Sequence, residues 1–457
     1  MLRDLPEPPR NIWRIVGPGV IAAGVGVSSG EFILWPYIAS QAGLVFLWAA
    51  VLGILTQLFL NMEIERYTLA TGETALIGFN RFWKHWGLVF ALMVYFANLW
   101  PGWALSSATL ATFLFGGNPA YIAVGVLLVI GVGLTLAPVV YLALERLNFL
   151  KVAMVLTLIA LALVFAVTAD TWRALPAGLA SVGTIPSELG FALLLGSVAF
   201  AGAGGGQNLC QSNWIRDKGF GMGQYVPRLV SPLTGEEQVS AAAVVSYRFE
   251  PTAANMARWS RWWRFANIEQ AATFALVSIL TITLTSMLAH SMLFGEKGLP
   301  TTVMFLQIEG RRLQEVVGPW FGLLFWATGA FSLFTSAMGI TDYTSRLAAD
   351  VLKSTYLRTS TVSESQIYFW LVWGLVAIGC VILLSGLAQP LVLLVISACV
   401  GGTMMFLYSG LLILLNRRHL PAPIRIRGVR IAVLVWSIAF FGVLAGLTVW
   451  QQVQRFL

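Results

Sequence analysis

The sequence predicts an all-α membrane protein with about eleven spanning helices. Three observations predict it. Of 457 residues, 58% are hydrophobic and 11% charged, where a soluble domain carries roughly 25% charged residues. The charge-free stretches are long enough for helices of about 20 residues, the length that crosses the hydrocarbon core. These stretches are continuously apolar, without the alternation that a membrane barrel needs. The net charge of +8 does not mark a nucleic-acid surface, because the basic residues sit in short segments between apolar runs. Cys210, Cys380 and Cys399 lie in or beside apolar segments, without metal-ligand spacing. They predict buried thiols rather than a disulfide framework.

The elements follow in order. Residues 1–14 are polar and Pro-rich, carry no signal-peptide cleavage pattern, and predict a cytoplasmic N-terminus. Residues 15–30 are charge-free, Glu31 interrupts, and 32–62 are charge-free again. The turn Gln41-Ala42-Gly43 divides this region into α1 and α2. Residues 85–144 lack Asp, Glu, Lys and Arg, and Gly116-Gly117-Asn118-Pro119 divides them into α3 and α4. Residues 152–169 form the core of α5, and 188–216 form α6. Residues 270–295 and 316–341 give α7 and α8. Residues 365–416 split near Ala388-Gln389-Pro390 into α9 and α10, and 431–454 give α11. Residues 15–169 and 188–416 then read as two five-helix halves of opposite orientation, with a long loop at 217–265 and α11 appended.

Charge fixes the direction. With the N-terminus inside and eleven crossings, only Arg173, Lys297, Arg311, Arg312 and Arg455 of the 28 basic residues fall outside. Cytoplasmic loops carry the excess of Lys and Arg, so this asymmetry predicts a cytoplasmic N-terminus and an external C-terminus in the cell membrane.

Two helices are chemically unusual. α1 contains Gly17-Pro18-Gly19, Gly24, Gly26, Ser28-Ser29-Gly30-Glu31 and Trp35-Pro36. α6 contains Gly202-Ala203-Gly204-Gly205-Gly206-Gln207-Asn208. Each glycine weakens a helix by about 1 kcal/mol relative to alanine. Gly17, Gly19, Gly24 and Gly26 read as close helix packing. Three consecutive glycines beside two amides predict a break around Gly204 to Gln207, because unwound backbone at this depth is tolerated only where it is buried in protein or lines a cavity. α1 and α6 open the two halves, and paired interruptions at matching places point to a transporter binding site.

Several motifs resemble the Nramp family, the proton-coupled divalent-metal transporters with a LeuT-type fold. Gly17-Pro18-Gly19 matches the start of the family's first helix. Gly53-Ile54-Leu55-Thr56-Gln57 and Arg66-Tyr67-Thr68-Leu69-Ala70-Thr71-Gly72 resemble its second helix and the exit from it. Asn208-Leu209 matches the end of the sixth-helix signature. Ser332-Leu333-Phe334-Thr335-Ser336 and Asp342-Tyr343-Thr344 resemble the small-residue-rich eighth helix. The resemblance implies a 5+5 inverted repeat with broken helices α1 and α6. The family's Asp-Pro-Gly-Asn falls on Ser28-Ser29-Gly30-Glu31, and its Met-Pro-His-Asn falls on Gly205-Gly206-Gln207-Asn208. The thioether and imidazole are gone, and the acidic residues of the third helix are replaced near Trp100 and Trp103.

The resemblance therefore implies a secondary transporter of a divalent metal with altered selectivity. Ser28, Ser29, Gly30, Glu31, Gly202, Gly205, Gly206, Gln207 and Asn208 are the candidate substrate-binding residues. Glu31, Ser28 and Gln207 are the candidate metal ligands. All are oxygen donors, which suit a hard cation such as Mg²⁺ better than softer transition metals. Thr335 and Ser336 form a candidate coupling-ion site for Na⁺, with H⁺ the alternative coupling ion. The competing reading is a small organic solute, an amino acid or amine, held by half-helix N-termini and Glu31. The partners are the bilayer and the small transported species, with no nucleic acid and no cofactor. No nucleophile–base pair, Cys/His metal cluster or phosphate loop suggests an enzyme. A receptor or scaffold lacks any attached signalling domain.

Other residues receive quieter readings. Gln57 and Asn98 predict hydrogen bonds between helices. His290 reads as a satisfied interfacial histidine. Asp342 reads as an i,i+4 partner of Arg346 at the cytoplasmic end of α8. Met256 to Phe265 interleaves Arg258, Arg261 and Arg264 with Trp259, Trp262 and Trp263, and reads as an amphipathic helix on the inner leaflet. Glu31 is the one acidic residue placed well inside a span by its position between charge-free runs.

Overall fold

The structure is a computed structural model that describes residues 1–9, 17–137, 139–227, 229–230, 233, 246–300, 302–386 and 389–456. Arg10 to Arg14, Arg228, most of 231–245 and Ala388, which enter the topology above, lie outside the described residues. Among the described residues, ten helices are long and apolar enough to cross a membrane. They are α1 Pro18–Ala42, α2 Leu47–Thr71, α3 Trp86–Phe115, α4 Pro119–Leu136, α5 Val140–Phe165, α7 Ala253–Leu293, α8 Pro319–Tyr356, α9 Glu364–Leu384, α10 Pro390–Arg418 and α11 Val429–Phe456. The expected α6 is present but divided into α6a Phe191–Ala199 and α6b Gly206–Lys218, neither of which crosses alone.

The bundle is built around α1, which is buried along almost its whole length. The first half of α1 packs on α5, and its second half packs on α7. α8 packs on α3 and α5, and α6a on α10. Outward faces carry Leu92, Phe96, Val129, Trp370 and Val381 in exposed positions, as lipid contact requires.

Several segments differ from the boundaries drawn by charge-free runs, because the helices continue through charged residues, most of which the protein buries. α5 begins at Val140 rather than 152 and contains Glu145, Arg146 and Lys151. α2 continues through Glu63, Glu65 and Arg66, where Arg66 Nε donates to Glu63 at 2.7 Å. α8 continues past 341, so Asp342 and Arg346 are buried mid-helix. Their i,i+4 bond is present, with Arg346 Nη2 at 2.9 Å from Asp342. Arg346 also bonds Asp217, and Tyr368 donates to Asp342 at 2.8 Å. Glu31 is consequently not alone: Glu63, Glu65, Glu269 and Asp342 are buried within spans as well.

The tryptophan- and arginine-rich segment is helical, as expected, but is not a separate helix. It is the first part of α7, continuous through a π-helical stretch, Gln270–Leu276. Protein covers its rings. Trp262 Nε1 donates to the Pro6 carbonyl at 2.8 Å, and Trp263 lies against the guanidinium groups of Arg66 and Arg430, at 4.1 and 4.7 Å from the ring centroid. Residues 4–7 run along the same helix, where hydrogen bonds from Arg258 and then Arg261 hold the Glu7 carboxyl below its usual range.

Candidate functional site

Helix α1 is interrupted after Gly26. Its regular part, Pro18–Gly26, starts where Glu269 Oε1 accepts from the backbone N–H groups of Gly17 and Gly19, at 3.2 and 2.8 Å. A carboxylate at a helix N-terminus satisfies orphan donors and opposes the dipole. After the break, Glu31 Oε2 accepts from Ser28 N–H at 2.9 Å and caps the second half from three residues on. Two buried polar atoms of this segment have no hydrogen-bond partner among the described residues: Glu31 Oε1 and Ser28 Oγ. The carbonyls freed by the break are met by α8. Ser332 Oγ donates to Val27 O at 2.8 Å, and Ser336 Oγ donates to Val25 O at 3.1 Å.

Helix α6 breaks at Phe200–Gly205, beginning four residues before the predicted start. Gln207 and Asn208 therefore lie in the first turn of α6b. Gly202, Gly204 and Gly205 adopt φ of 122°, 70° and 81°, a region that disfavours side chains. Gln57 of α2 makes most of the side-chain hydrogen bonds to the break. Its amide nitrogen donates to the carbonyls of Val198, Ala199 and Ala201, at 3.3, 3.0 and 3.1 Å. Its amide oxygen accepts from Ala203 N–H and Gly204 N–H, at 2.8 and 3.3 Å. Asn208 Oδ1 accepts from Gly205 N–H at 2.8 Å, and its amide donates to Asn61 at 2.7 Å.

The two breaks meet backbone to backbone. A Cβ at Gly26 would lie 2.3 Å from Gly202 O, and one at Gly30 2.3 Å from Phe200 O. Beside this contact is a cavity of about 20 Å³, the room of one water or one bare ion. Ser28, Ser29, Gly202 and Gln207 line it, with Trp103, Phe200 and Tyr343 as aromatic walls. Trp103 reaches it because α3 is also interrupted, between Asn98 and Gly102. Its Nε1 donates to Ser29 Oγ at 3.0 Å. Trp103 also borders a second cavity of about 30 Å³, lined by Asn98, Pro101 and Thr341. Asn98 bonds across to α8, at 3.0 Å from Tyr343 and 2.8 Å from Thr344.

The structure thus divides the predicted residues. Ser28, Ser29, Gly202 and Gln207 share the cavity, and Gln207 also donates to the Ala22 carbonyl. Gly30, Gly205 and Gly206 serve close approach, with Gly205 against the Gly401 backbone. Glu31 belongs to the same break but lies within electrostatic range of Lys151. Thr335 bonds back along its own helix, at 3.0 Å from Phe331 O. Ser336 faces α1 and receives a hydrogen bond from Lys151 Nζ. His290 is 2.8 Å from Thr171 Oγ1 and stacks on Phe294. Lys151 is the residue that charge counting assigns to a loop. Its spacing of three from Asn148 and seven from Leu144, on the buried face of α5, is the signal that places it inside a helix.

No protein-family model matches the chain, and no curated protein matches it in sequence. Solved structures do share its fold. Crystal structures of two mutant forms of an Eremococcus coleocola manganese transporter align with a TM-score of 0.64 and 12% identity, covering 99% of this chain and 98% of that one. The same transporter in complex with an aromatic bis-isothiourea substituted compound aligns with a TM-score of 0.60, at the same identity and coverage. The fold implied by the motif resemblance is the fold observed.

Proposed function

We propose that this chain is a secondary transporter that moves a divalent metal cation across the cell membrane through the junction of the α1 and α6 breaks. One observation carries the reading: two discontinuous helices, opening the two halves, meet beside a cavity the size of an ion. The manganese transporters that share the fold supply the substrate class. The oxygens of Ser28, Glu31 and Gln207, with the freed backbone carbonyls, supply the ligands. Their all-oxygen character favours a hard cation such as Mg²⁺, bound with some of its waters. A proton or sodium gradient supplies the energy.

Isothermal calorimetry and proteoliposome uptake test this reading together. Uptake of Mg²⁺ and Mn²⁺ is expected at rates within about tenfold of each other, because no sulfur or imidazole ligand adds affinity for Mn²⁺. Tight, selective binding of Mn²⁺ or Cd²⁺ would refute the hard-cation assignment. Absence of uptake for every divalent cation would end the metal reading. In that case the aromatic walls Trp103, Phe200 and Tyr343 support the second reading, an organic ammonium held by cation–π contact.

The same reading places the N-terminus in the cytoplasm and the C-terminus outside. A reporter active only in the cytoplasm should be silent when fused to Leu457 and active when inserted near Arg417. Activity at Leu457 would overturn the orientation.

A further inference from the structure

The buried arginines Arg66, Arg216 and Arg346 each meet a carboxylate, on Glu63, Asp350 and Asp342. A second group of basic residues differs. Lys84, Arg248, Arg417, Arg418, Arg425 and Arg427 are exposed, and none of them has an ion pair among the described residues. They come from three separate parts of the chain and gather around His419, the residue that follows α10. The His419 ring lies 5.5 Å from the ring of Phe82, in the connection between α2 and α3. Arg81, Arg248 and Arg418 are within electrostatic range of it. Arg425 Nε donates to the Leu420 carbonyl at 2.8 Å, and Arg427 bonds the Ala422 carbonyl. Glu73, the carboxylate within range of His419, is already held by Arg81 at 2.7 Å. The connection from Arg417 to Arg430 has five arginines and no acidic residue, so nothing in it neutralises the patch. Burial, and after it the Arg81 and Arg248 charges, hold the His419 imidazole below its usual range, as a positive potential does. Two apolar side chains stand beside these charges: Trp83, 50% exposed just before α3, and Val429, 72% exposed at the start of α11.

We propose that this face binds the phosphate-bearing headgroup of an anionic phospholipid, with Arg248 and Arg418 as its principal contacts and Trp83 at the edge of the acyl region. Basic clusters immediately inside spanning helices recognise anionic headgroups, and exposed tryptophan belongs at headgroup depth. Topology alone calls for basic residues on this side. It does not call for them to converge, unpaired, from three parts of the chain beside an exposed tryptophan. A soluble acidic partner would match the charges and leave Trp83 and Val429 without a role. The proposal rests on the cytoplasmic placement of this face and not on which species the chain transports.

The test uses purified full-length protein in a neutral detergent, without transported substrate. Thermal unfolding is followed as phosphatidylglycerol is added, or phosphatidylcholine at the same concentration, or inorganic phosphate alone. Phosphatidylglycerol should raise the Tm of the parent by about 3 °C at saturation, and the other two should not. Arg248→Gln combined with Arg418→Gln should bind phosphatidylglycerol about thirtyfold more weakly, and Arg418→Gln alone about fivefold more weakly. The single variant decides if the double one does not fold. Arg173→Gln combined with Arg312→Gln, on the opposite side of the bundle, should respond like the parent. An equal response to the two lipids overturns the proposal, as does an Arg248→Gln, Arg418→Gln protein that binds like the parent. A response matched by inorganic phosphate makes this a small-anion site and overturns the lipid. Because the measurement is made in detergent, it fails separately from the reporter fusions that test orientation and from the uptake assay that tests transport.

Discussion

Glu31→Gln is expected to abolish transport while leaving a folded protein. The two carboxylate oxygens of Glu31 have different tasks. Oε2 accepts from Ser28 N–H and caps the second half of α1, a task that a glutamine carbonyl oxygen performs equally well. Oε1 is buried without a partner at the break, where the negative charge is available to a cation. Loss of a buried charged contact costs about 2–5 kcal/mol, so uptake should fall by roughly thirtyfold or more. The Lys151 ammonium loses its countercharge in this variant, and some thermal stability goes with it. Combining Glu31→Gln with Lys151→Met should recover that stability without recovering transport, because the two losses have separate causes. Uptake by the single variant at the parent rate, with the same pH and sodium dependence, would remove Glu31 from the site. The site would then consist of backbone and amide groups alone.

Gln57→Leu should produce the largest loss of stability of any substitution named for this chain. The side chain makes five hydrogen bonds to the α6 break, three as donor and two as acceptor. Leucine makes none and leaves those backbone groups buried without partners. Each unsatisfied group costs about 1–3 kcal/mol. Even with local rearrangement the total should exceed about 4 kcal/mol, a range reached only through a few physical mechanisms. The expected result is a Tm lowered by about 10 °C or more, together with loss of uptake. Gln57→Glu retains the acceptors and loses the donors, and should fall between. A Gln57→Leu protein with the parent Tm would show that the break does not depend on α2.

Part of the site is legible in the residues alone. Continuous apolar runs give the fold class, and the glycine run beside Gln207-Asn208 locates the interruption of α6 to within four residues. The glycines of α1 are legible as packing positions, and Gly26 and Gly30 do approach the backbone of the α6 break. The interruption of α3 has its own signal in Pro101, a residue that removes a helical donor. That signal lies inside a charge-free run, where counting charges shows nothing. The start of α7 is illegible for another reason: an amphipathic face looks the same whether lipid or the chain's own N-terminus covers it.

The sequence by itself determined that this chain crosses a membrane many times and that α1 and α6 are its two weakened helices. Those properties follow from local composition, through the cost of polar groups in lipid and the low helix propensity of glycine. Only the tertiary structure decided which buried charges belong together. Lys151 meets Ser336 from 185 positions away, and Gln57 reaches the α6 break across more than 140. Counting charges along the chain marks a residue such as Lys151 as loop. In the folded bundle Ser336 Oγ of α8 accepts from it, a partner that no local pattern reveals.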